Sequence, residues 1–391
     1  MSVDSTTIAA VAVAGVMGAC AGSFLGVVVH RLPRGISIVT PPSRCGVCGT
    51  RLAWFENIPI LSWTLLRGRC RHCGTAIPVS CVIMEVTVAI ISALVTWAVL
   101  AYQLLACIPF LFGGYEDLAI CAGIAVLLLI TWLLIASVLI DWEHMLLPDE
   151  LTKGLQTLAV PLAVCTGSNL IWIWNPASWF RHEDVFRGWE GTGYGAALNL
   201  GLCAALGIGL IAASLPVARL VYGKLKRETW EEHDHRAMSI GAWWYIVWTT
   251  LWVIVTIGIT CAVSPSHHAA DADPWSWLCI CLTQAILGSL VGWWIPWLVG
   301  LGGTVFFRRN AMGFGDVKLF ASLGAFLGPI GTIVAFMFAC IVGTIVGVPA
   351  RLMGAGREMP FGPSLAVGAI LAVALGPWLA PWIMQRWMLW G

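Results

Sequence analysis

Nine long stretches of this sequence contain no aspartate, glutamate, lysine or arginine, and they constrain the fold more than any other feature. They cover residues 5–30, 86–115, 118–140, 154–180, 191–218, 237–270, 274–307, 319–350 and 359–385. A helix needs about 20 apolar residues to cross the hydrocarbon of a bilayer, where it satisfies its own backbone hydrogen bonds. The sequence therefore predicts an all-α polytopic membrane protein with nine transmembrane helices, or ten if Gly328-Pro329 breaks the stretch 319–350.

The composition supports this prediction and excludes other classes. Only 10% of the residues are charged and 59% are hydrophobic, which is unlike a soluble domain. The net charge of +1 provides no basic field, so nucleic acid is not expected as a partner. The 23 tryptophans suit a chain with many membrane-water boundaries. The expected surroundings are therefore a lipid bilayer.

The distribution of lysine and arginine predicts which loops lie inside. With the N-terminus outside, the inner segments 31–85, 141–153, 219–236 and 308–318 hold 16 basic residues, and the outer segments between the same helices hold two. This asymmetry follows the positive-inside rule. The first stretch is interpreted as a retained helix and not a cleaved signal peptide, because basic residues follow it and do not precede it.

Four cysteines form two short-spaced pairs in the long polar loop after the first stretch: Cys45-x-x-Cys48 and Cys70-x-x-Cys73. Two such pairs can close a tetrahedron of thiolates around Zn²⁺, and a glycine directly after each pair allows the tight turn. Redox dithiols or disulfides are the alternatives, which a reducing compartment disfavours. His72 also lies in the second pair, but four cysteines already complete the ligand set. We expect metal binding to supply folding energy to this loop.

Two aspartates lie at predicted helix ends. Asp141 directly follows the stretch 118–140, and Asp316 follows Gly313-Phe314-Gly315. Ionisable groups at membrane depth are costly and are functional candidates, and the two glycines predict a flexible loop that could admit an extended peptide. Two carboxyl groups brought close would share a proton and could perform aspartic-protease chemistry. Taken singly, each aspartate could instead be a boundary charge, with Asp316 paired to Lys318.

Several motifs in order make the chain resemble the type IV prepilin peptidases, a GxGD family of intramembrane aspartic proteases. The resemblance rests on Gly-x-Gly-Asp followed by Lys-Leu, on Ile-Asp-x₅-Leu-Pro-Asp, and on the paired cysteines. It extends to residues 22–34, 57–63, 66–74 and 360–363 and to Glu85. The chain departs from the family at Gly26, where an asparagine is usual, and in the long separation of Asp141 from Asp316.

The resemblance implies a function and site residues. Asp141 and Asp316 would be the catalytic pair, and Asp149, Glu85 and Lys318 would be auxiliary residues. The enzyme would cleave the leader of prepilins or pseudopilins after a glycine, at the cytoplasmic face of the bacterial inner membrane. Many members also methylate the new N-terminus with S-adenosylmethionine, although no glycine-rich nucleotide loop is evident in a polar part of this sequence.

The predicted organisation follows from these motifs. Residues 1–30 form the first transmembrane helix, 31–80 the zinc-binding loop domain, 81–140 helices two and three, 141–316 a region with extra helices, and 317–391 the C-terminal helices.

Two rival hypotheses remain at this point. A multi-helix transporter would suit intramembrane glycines and edge carboxylates but not the zinc loop. A protease of the presenilin type shares Gly-x-Gly-Asp but would not be expected to carry the paired cysteines.

Overall fold

The computed structural model confirms an all-helical architecture. It describes residues 5–101, 116–144, 147–165, 244–252, 254–255, 274–307, 312–353 and 360–388. Within these ranges the only β pairing consists of two isolated bridges, Arg44 with Arg51 and Arg69 with Ala76. The predicted stretch 191–218 lies outside the described residues, so the count of nine or ten helices stays a prediction.

Eight α-helices are described with both ends. They are α1 (Ser5–Arg31), α2 (Leu61–Leu65), α3 (Val79–Ala101), α4 (Glu116–His144), α5 (Asp149–Cys165), α6 (Pro274–Phe307), α7 (Phe314–Leu352) and α8 (Gly362–Met388). Residues 244–252 are also helical. Two 3₁₀ turns, Leu32–Arg34 and Trp54–Asn57, lie in the loop between α1 and α3.

Five of these helices are long and apolar enough to cross a membrane. They contain the segments Ser5–Arg34, Val79–Ala101, Ile120–His144, Leu282–Phe307 and Phe314–Leu352. Each overlaps one of the predicted charge-free stretches. The chain is therefore a polytopic membrane protein, as its sequence predicts.

The helices belong to two compact units. Of the described residues, the first unit contains 5–101, 117–144 and 147–148, and the second contains Glu116 and those from 149 onward. In the first unit α1 and α3 pack antiparallel through small residues: Gly18 lies against Ser92, and Gly22 against the backbone of Glu85. The Trp132 indole N–H donates to the Ser92 hydroxyl (2.9 Å) and joins α4 to this pair. Small residues let helices in a membrane approach closely.

In the second unit, α7 is broken at the predicted place. Gly328 has φ 69° and ψ 175°, and Pro329 follows it, so α7 consists of two helices across a kink. Every residue from Asp316 to Gly328 is buried. Gly288 of α6 faces Gly324 of α7 backbone to backbone, so these two helices approach each other closely at that point.

Helix boundaries differ from the charge-free stretches at several ends, among them the starts of three helices. α3 begins at Val79, before Glu85; α5 begins at Asp149; and α7 begins before Asp316. The stretches end at charged residues by definition, whereas a helix can include a charge. Glu85 is tolerated inside α3 because its buried carboxylate accepts a hydrogen bond from the Ile60 N–H.

Candidate functional site

The two cysteine pairs lie in equivalent short hairpins. In the first, the Cys45 N–H donates to the Thr50 carbonyl (2.9 Å) and the Gly49 N–H to the Cys45 carbonyl (3.0 Å). In the second hairpin, the Cys70 N–H donates to the Thr75 carbonyl (2.8 Å) and the Gly74 N–H to the Cys70 carbonyl (2.9 Å). Gly49 and Gly74 have φ of 69° and 72°, a left-handed conformation that favours glycine. The glycines after each pair therefore allow the tight turns that the sequence predicts.

The four sulfur atoms form a compact cluster suited to one metal ion. The ligand atoms of Cys45, Cys48, Cys70 and Cys73 all lie within 4.8 Å of one another. The Sγ atoms of Cys45 and Cys73 are 3.8 Å apart. A tetrahedron with Zn–S bonds of about 2.3 Å has sulfur separations of about 3.8 Å. The donor set and its spacing therefore fit Zn²⁺.

Neighbouring donors favour the thiolate form at two of the four sulfurs. The Thr75 hydroxyl and backbone N–H lower the pKa of the Cys73 thiol to about 6. The backbone N–H groups of Cys48 and Val47 lower the pKa of the Cys45 thiol from its ordinary value. Because the thiolate is the form that binds metal, these hydrogen bonds favour the metal-binding form of Cys45 and Cys73.

The zinc-loop segment is attached to α3 by one buried carboxylate. Glu85 Oε2 accepts a hydrogen bond of 2.7 Å from the Ile60 N–H, and Ile60 has a positive φ of 61°. A positive φ is unfavourable for a β-branched residue, so this hydrogen bond stabilises a strained turn. Glu85, predicted as an auxiliary residue, thus has a structural contact in the loop.

Asp316 lies in the first turn of α7 and is buried. Gly313 is the N-cap residue, and the Asp316 N–H donates to its carbonyl (3.2 Å). A Cβ added at Gly313 would lie 3.5 Å from Asp316 Oδ2, so the carboxylate turns back toward the helix N-terminus. That end of a helix carries partial positive charge and stabilises an anionic side chain. Gly315 lies inside the same first turn.

The aromatic residue of the Gly-x-Gly-Asp motif is supported by a stack of rings in the second unit. The Phe314 ring packs edge-on against Trp293, with centroids 5.3 Å apart. Trp293 in turn stacks on Tyr245 at 4.5 Å with an interplanar angle of 13°. The Tyr245 hydroxyl and the Ser289 hydroxyl are hydrogen-bonded at 2.8 Å. We call Tyr245, Trp293 and Phe314 the aromatic stack.

Sequence reasoning missed two members of this stack. Tyr245 and Trp293 belong to no motif, and each lies in a long apolar stretch where aromatic residues are common. A tryptophan in such a stretch indicates a membrane boundary as readily as a packed core. No signal in the sequence separates Trp293 from the other tryptophans of α6.

The other predicted catalytic residue, Asp141, is buried in the last turn of α4. It belongs to the first unit, whereas Asp316 belongs to the second. Asp149 is the first residue of α5 in the second unit. The pairing of Asp141 with Asp316 therefore stays a prediction.

Comparison with known proteins identifies two matched ranges. Residues 16–99 match the family described as bacterial peptidase A24 N-terminal domain, and residues 234–348 match the type IV leader peptidase family. The first range contains both cysteine pairs and Glu85, and the second contains Asp316 and Lys318. Asp141 and Asp149 lie between the two ranges.

Three relatives, each named prepilin leader peptidase/N-methyltransferase, show how far the similarity extends. The Pseudomonas putida protein is 31% identical over 231 residues, which cover 50% of this chain and 73% of that protein. The Myxococcus xanthus protein is 39% identical over 152 residues, 39% of this chain and 40% of that protein. The Aeromonas hydrophila protein is 22% identical over 394 residues, 94% of this chain and 91% of that protein. No solved structure matches the chain.

Proposed function

Because the chain belongs to the type IV leader peptidase family, we propose that it is a membrane-embedded aspartic endopeptidase that removes the leader peptide of prepilins or pseudopilins. The observation that carries the proposal is the buried Asp316 carboxylate at the start of α7, inside the range that matches this family. Cleavage after a glycine at the cytoplasmic face of the bacterial inner membrane completes the proposal.

The proposed chemistry uses two carboxyl groups, those of Asp316 and Asp141. One carboxylate removes a proton from a water molecule, which attacks the scissile carbonyl carbon. The other carboxyl group, protonated, donates its proton to the carbonyl oxygen. When the intermediate breaks down, the first carboxyl group gives the proton taken from water to the departing amine, and the second recovers its proton from the hydroxyl as the carbonyl re-forms. Burial of both residues supports this role, because low solvent exposure favours a shared proton over two full charges.

A Zn²⁺ ion bound by Cys45, Cys48, Cys70 and Cys73 would act as a structural centre. Four thiolates complete its coordination and leave no position for water or substrate, so the ion would supply folding energy and no catalytic step. The loop itself is short and much of it is exposed, which supports a requirement for the metal.

N-methylation of the cleaved product is the second proposed activity. It rests on the printed names of the relatives, which join leader peptidase to N-methyltransferase. S-adenosylmethionine would be the methyl donor for this activity. The substrates proposed for both activities are prepilin-like precursors in the same bilayer.

One experiment tests both activities. The chain is co-expressed with a prepilin that carries a Gly-Phe junction, and the substrate is analysed by intact-mass spectrometry. Loss of the leader supports the peptidase, and a further mass increment of one methyl group on the new N-terminus supports the methyltransferase. An unprocessed prepilin in the presence of well-expressed, membrane-inserted protein would contradict the proposal.

A further inference from the structure

The loop between α1 and α3 begins and ends at one membrane boundary. α1 and α3 are both apolar enough to span a bilayer, and their contacts run in opposite chain directions: Gly15 lies against Ala93, and Gly22 against Glu85. The end of α1 and the start of α3 are therefore side by side. Residues 32–78, which we call the zinc loop, consequently lie over the bilayer surface next to this helix pair.

One part of the zinc loop is held down onto the helix pair. The Ile60 N–H is bound to Glu85, which lies in the second turn of α3. With a rise of about 1.5 Å per residue, Glu85 is about 9 Å along the helix from its first residue Val79. The turn at Ile60 is thus placed beside the end of a spanning helix, where headgroups and acyl chains meet.

Large apolar side chains flank this turn and are exposed. Trp54 is 81% exposed and Leu65 is 74% exposed. Phe55 and Leu61 lie between them in the sequence and are also exposed. An indole ring at the level of the headgroups is a favourable arrangement, because its apolar body and polar N–H find matching surroundings there. We call residues 54–65 the apolar segment.

The charge of the zinc loop matches an anionic surface. Six arginines are exposed: Arg34, Arg44, Arg51, Arg67, Arg69 and Arg71. The one acid, Glu56, is buried and accepts a hydrogen bond from the Ala53 N–H (2.7 Å). The guanidinium of Arg71 lies 5.5 Å from the Phe55 ring centroid, so positive charge directly adjoins the apolar segment.

We propose that the apolar segment and the surrounding arginines form a binding surface for anionic phospholipid headgroups, with Trp54 and Leu65 inserted at the boundary with the acyl chains. The contact with Glu85 sets the depth of the segment, and the exposed arginines contact lipid phosphates. The zinc loop has exposed arginines and no exposed acid, and it adjoins the bilayer that α1 and α3 cross, so anionic lipid is the occupant that its charge favours. The proposal goes beyond peptidase activity and does not depend on it.

Hydrogen exchange of the full-length protein tests this proposal. The protein is reconstituted in nanodiscs of phosphatidylcholine, with or without an equimolar share of phosphatidylglycerol, and exchange is followed in peptides that cover residues 51–66. We expect slower exchange when phosphatidylglycerol is present. The variant Arg51→Gln/Arg71→Gln should lose this difference, and Trp54→Ser should lose protection in both lipids.

A matched control shows that the effect belongs to the apolar segment. Val39 is about as exposed as Trp54 but lies away from the turn in the sequence, so Val39→Ser should leave exchange of residues 51–66 unchanged. Zinc content is measured in every variant to verify that the zinc loop is folded. The proposal is overturned by equal exchange in both lipids, by equal effects of Val39→Ser and Trp54→Ser, or by protection that appears only when prepilin is added.

Discussion

The ammonium group of Lys318 lies 5.1 Å from the ring centroid of Phe314, four residues earlier in the first turns of α7. Lys318 is buried, and the face of an aromatic ring attracts a cation most strongly where water is excluded. Phe314 also packs against Trp293, so one side chain connects the buried lysine to the aromatic stack. Contacts of Phe314 and Lys318, two residues before and two residues after Asp316, thereby hold the turn that carries Asp316.

Replacing Phe314 tests this contact. Phe314→Leu should destabilise the protein by about 0.5–2 kcal/mol through the lost cation–π interaction, and more through lost aromatic packing. Phe314→Tyr keeps the ring and serves as the matched control. Thermal unfolding in detergent and the initial rate of leader cleavage are measured for both variants. Equal behaviour of the leucine and tyrosine variants would show that the ring is dispensable.

The aspartates are tested by replacing one carboxyl group at a time. Asp316→Asn and Asp141→Asn should each lower cleavage by at least about 100-fold, because asparagine keeps the shape but cannot exchange the proton. Asp149→Asn should retain measurable activity. Immunoblotting of membranes verifies that each variant accumulates. Normal cleavage by Asp141→Asn together with an inactive Asp149→Asn would move the assignment to Asp149.

The metal centre predicts one zinc ion per chain. Cys45→Ser/Cys70→Ser removes one thiolate from each hairpin and should abolish zinc binding, because two thiolates do not complete the tetrahedral ligand set. Loss of the metal should also destabilise the loop, since structural zinc contributes on the order of 10 kcal/mol to the folding of small zinc domains. Elemental analysis of the purified protein gives the metal content. Cys81→Ser, outside the cluster, is the control and should bind zinc normally. A zinc content that is the same in both variants would contradict the assignment.

The approach of α6 to α7 should not tolerate added atoms. Gly288→Ala would place a Cβ against the carbonyl of Gly324 and the backbone of Gly328. The variant should be destabilised by about 1–3 kcal/mol, because backbone atoms cannot move aside as a flexible side chain can. Gly302→Ala, in the same helix with open space around it, should have little effect or stabilise slightly. The unfolding temperatures of the two variants are compared. A smaller loss at Gly288 than at Gly302 would be inconsistent with this packing.

Substrate charge provides a further prediction. The zinc loop is basic and should not attract a leader that carries lysines, so recognition should depend mainly on the apolar helix of the substrate. Acids outside the zinc loop, such as Glu143 and Asp149, would meet the leader's positive charge, whereas Glu85 is buried and bound to the Ile60 N–H. Reversal of two leader lysines to glutamate should therefore lower the initial rate less than a charge placed in the first apolar turns of the substrate. The two substrates are compared at equal expression. A larger loss from the leader reversal would indicate electrostatic capture.

Features that depend on neighbouring residues could be predicted from the sequence. The hairpins around Cys45 and Cys70 form through hydrogen bonds within six residues, and the glycines that permit them follow directly in the chain. The break in α7 at Gly328 was predictable for the same reason, because Pro329 is adjacent. Spanning helices are equally local, since hydropathy over about 20 residues decides whether a segment can cross a bilayer.

The tertiary structure alone decided how buried polar and aromatic groups are matched. Glu85 lies inside α3 because the N–H of Ile60, distant in the sequence, supplies a hydrogen bond that makes its burial tolerable. Tyr245 and Trp293 support Phe314 because three separate segments pack together there. Periodicity and composition contain no information on such partners, since the free energy of a buried charge or ring depends on which distant residue contacts it.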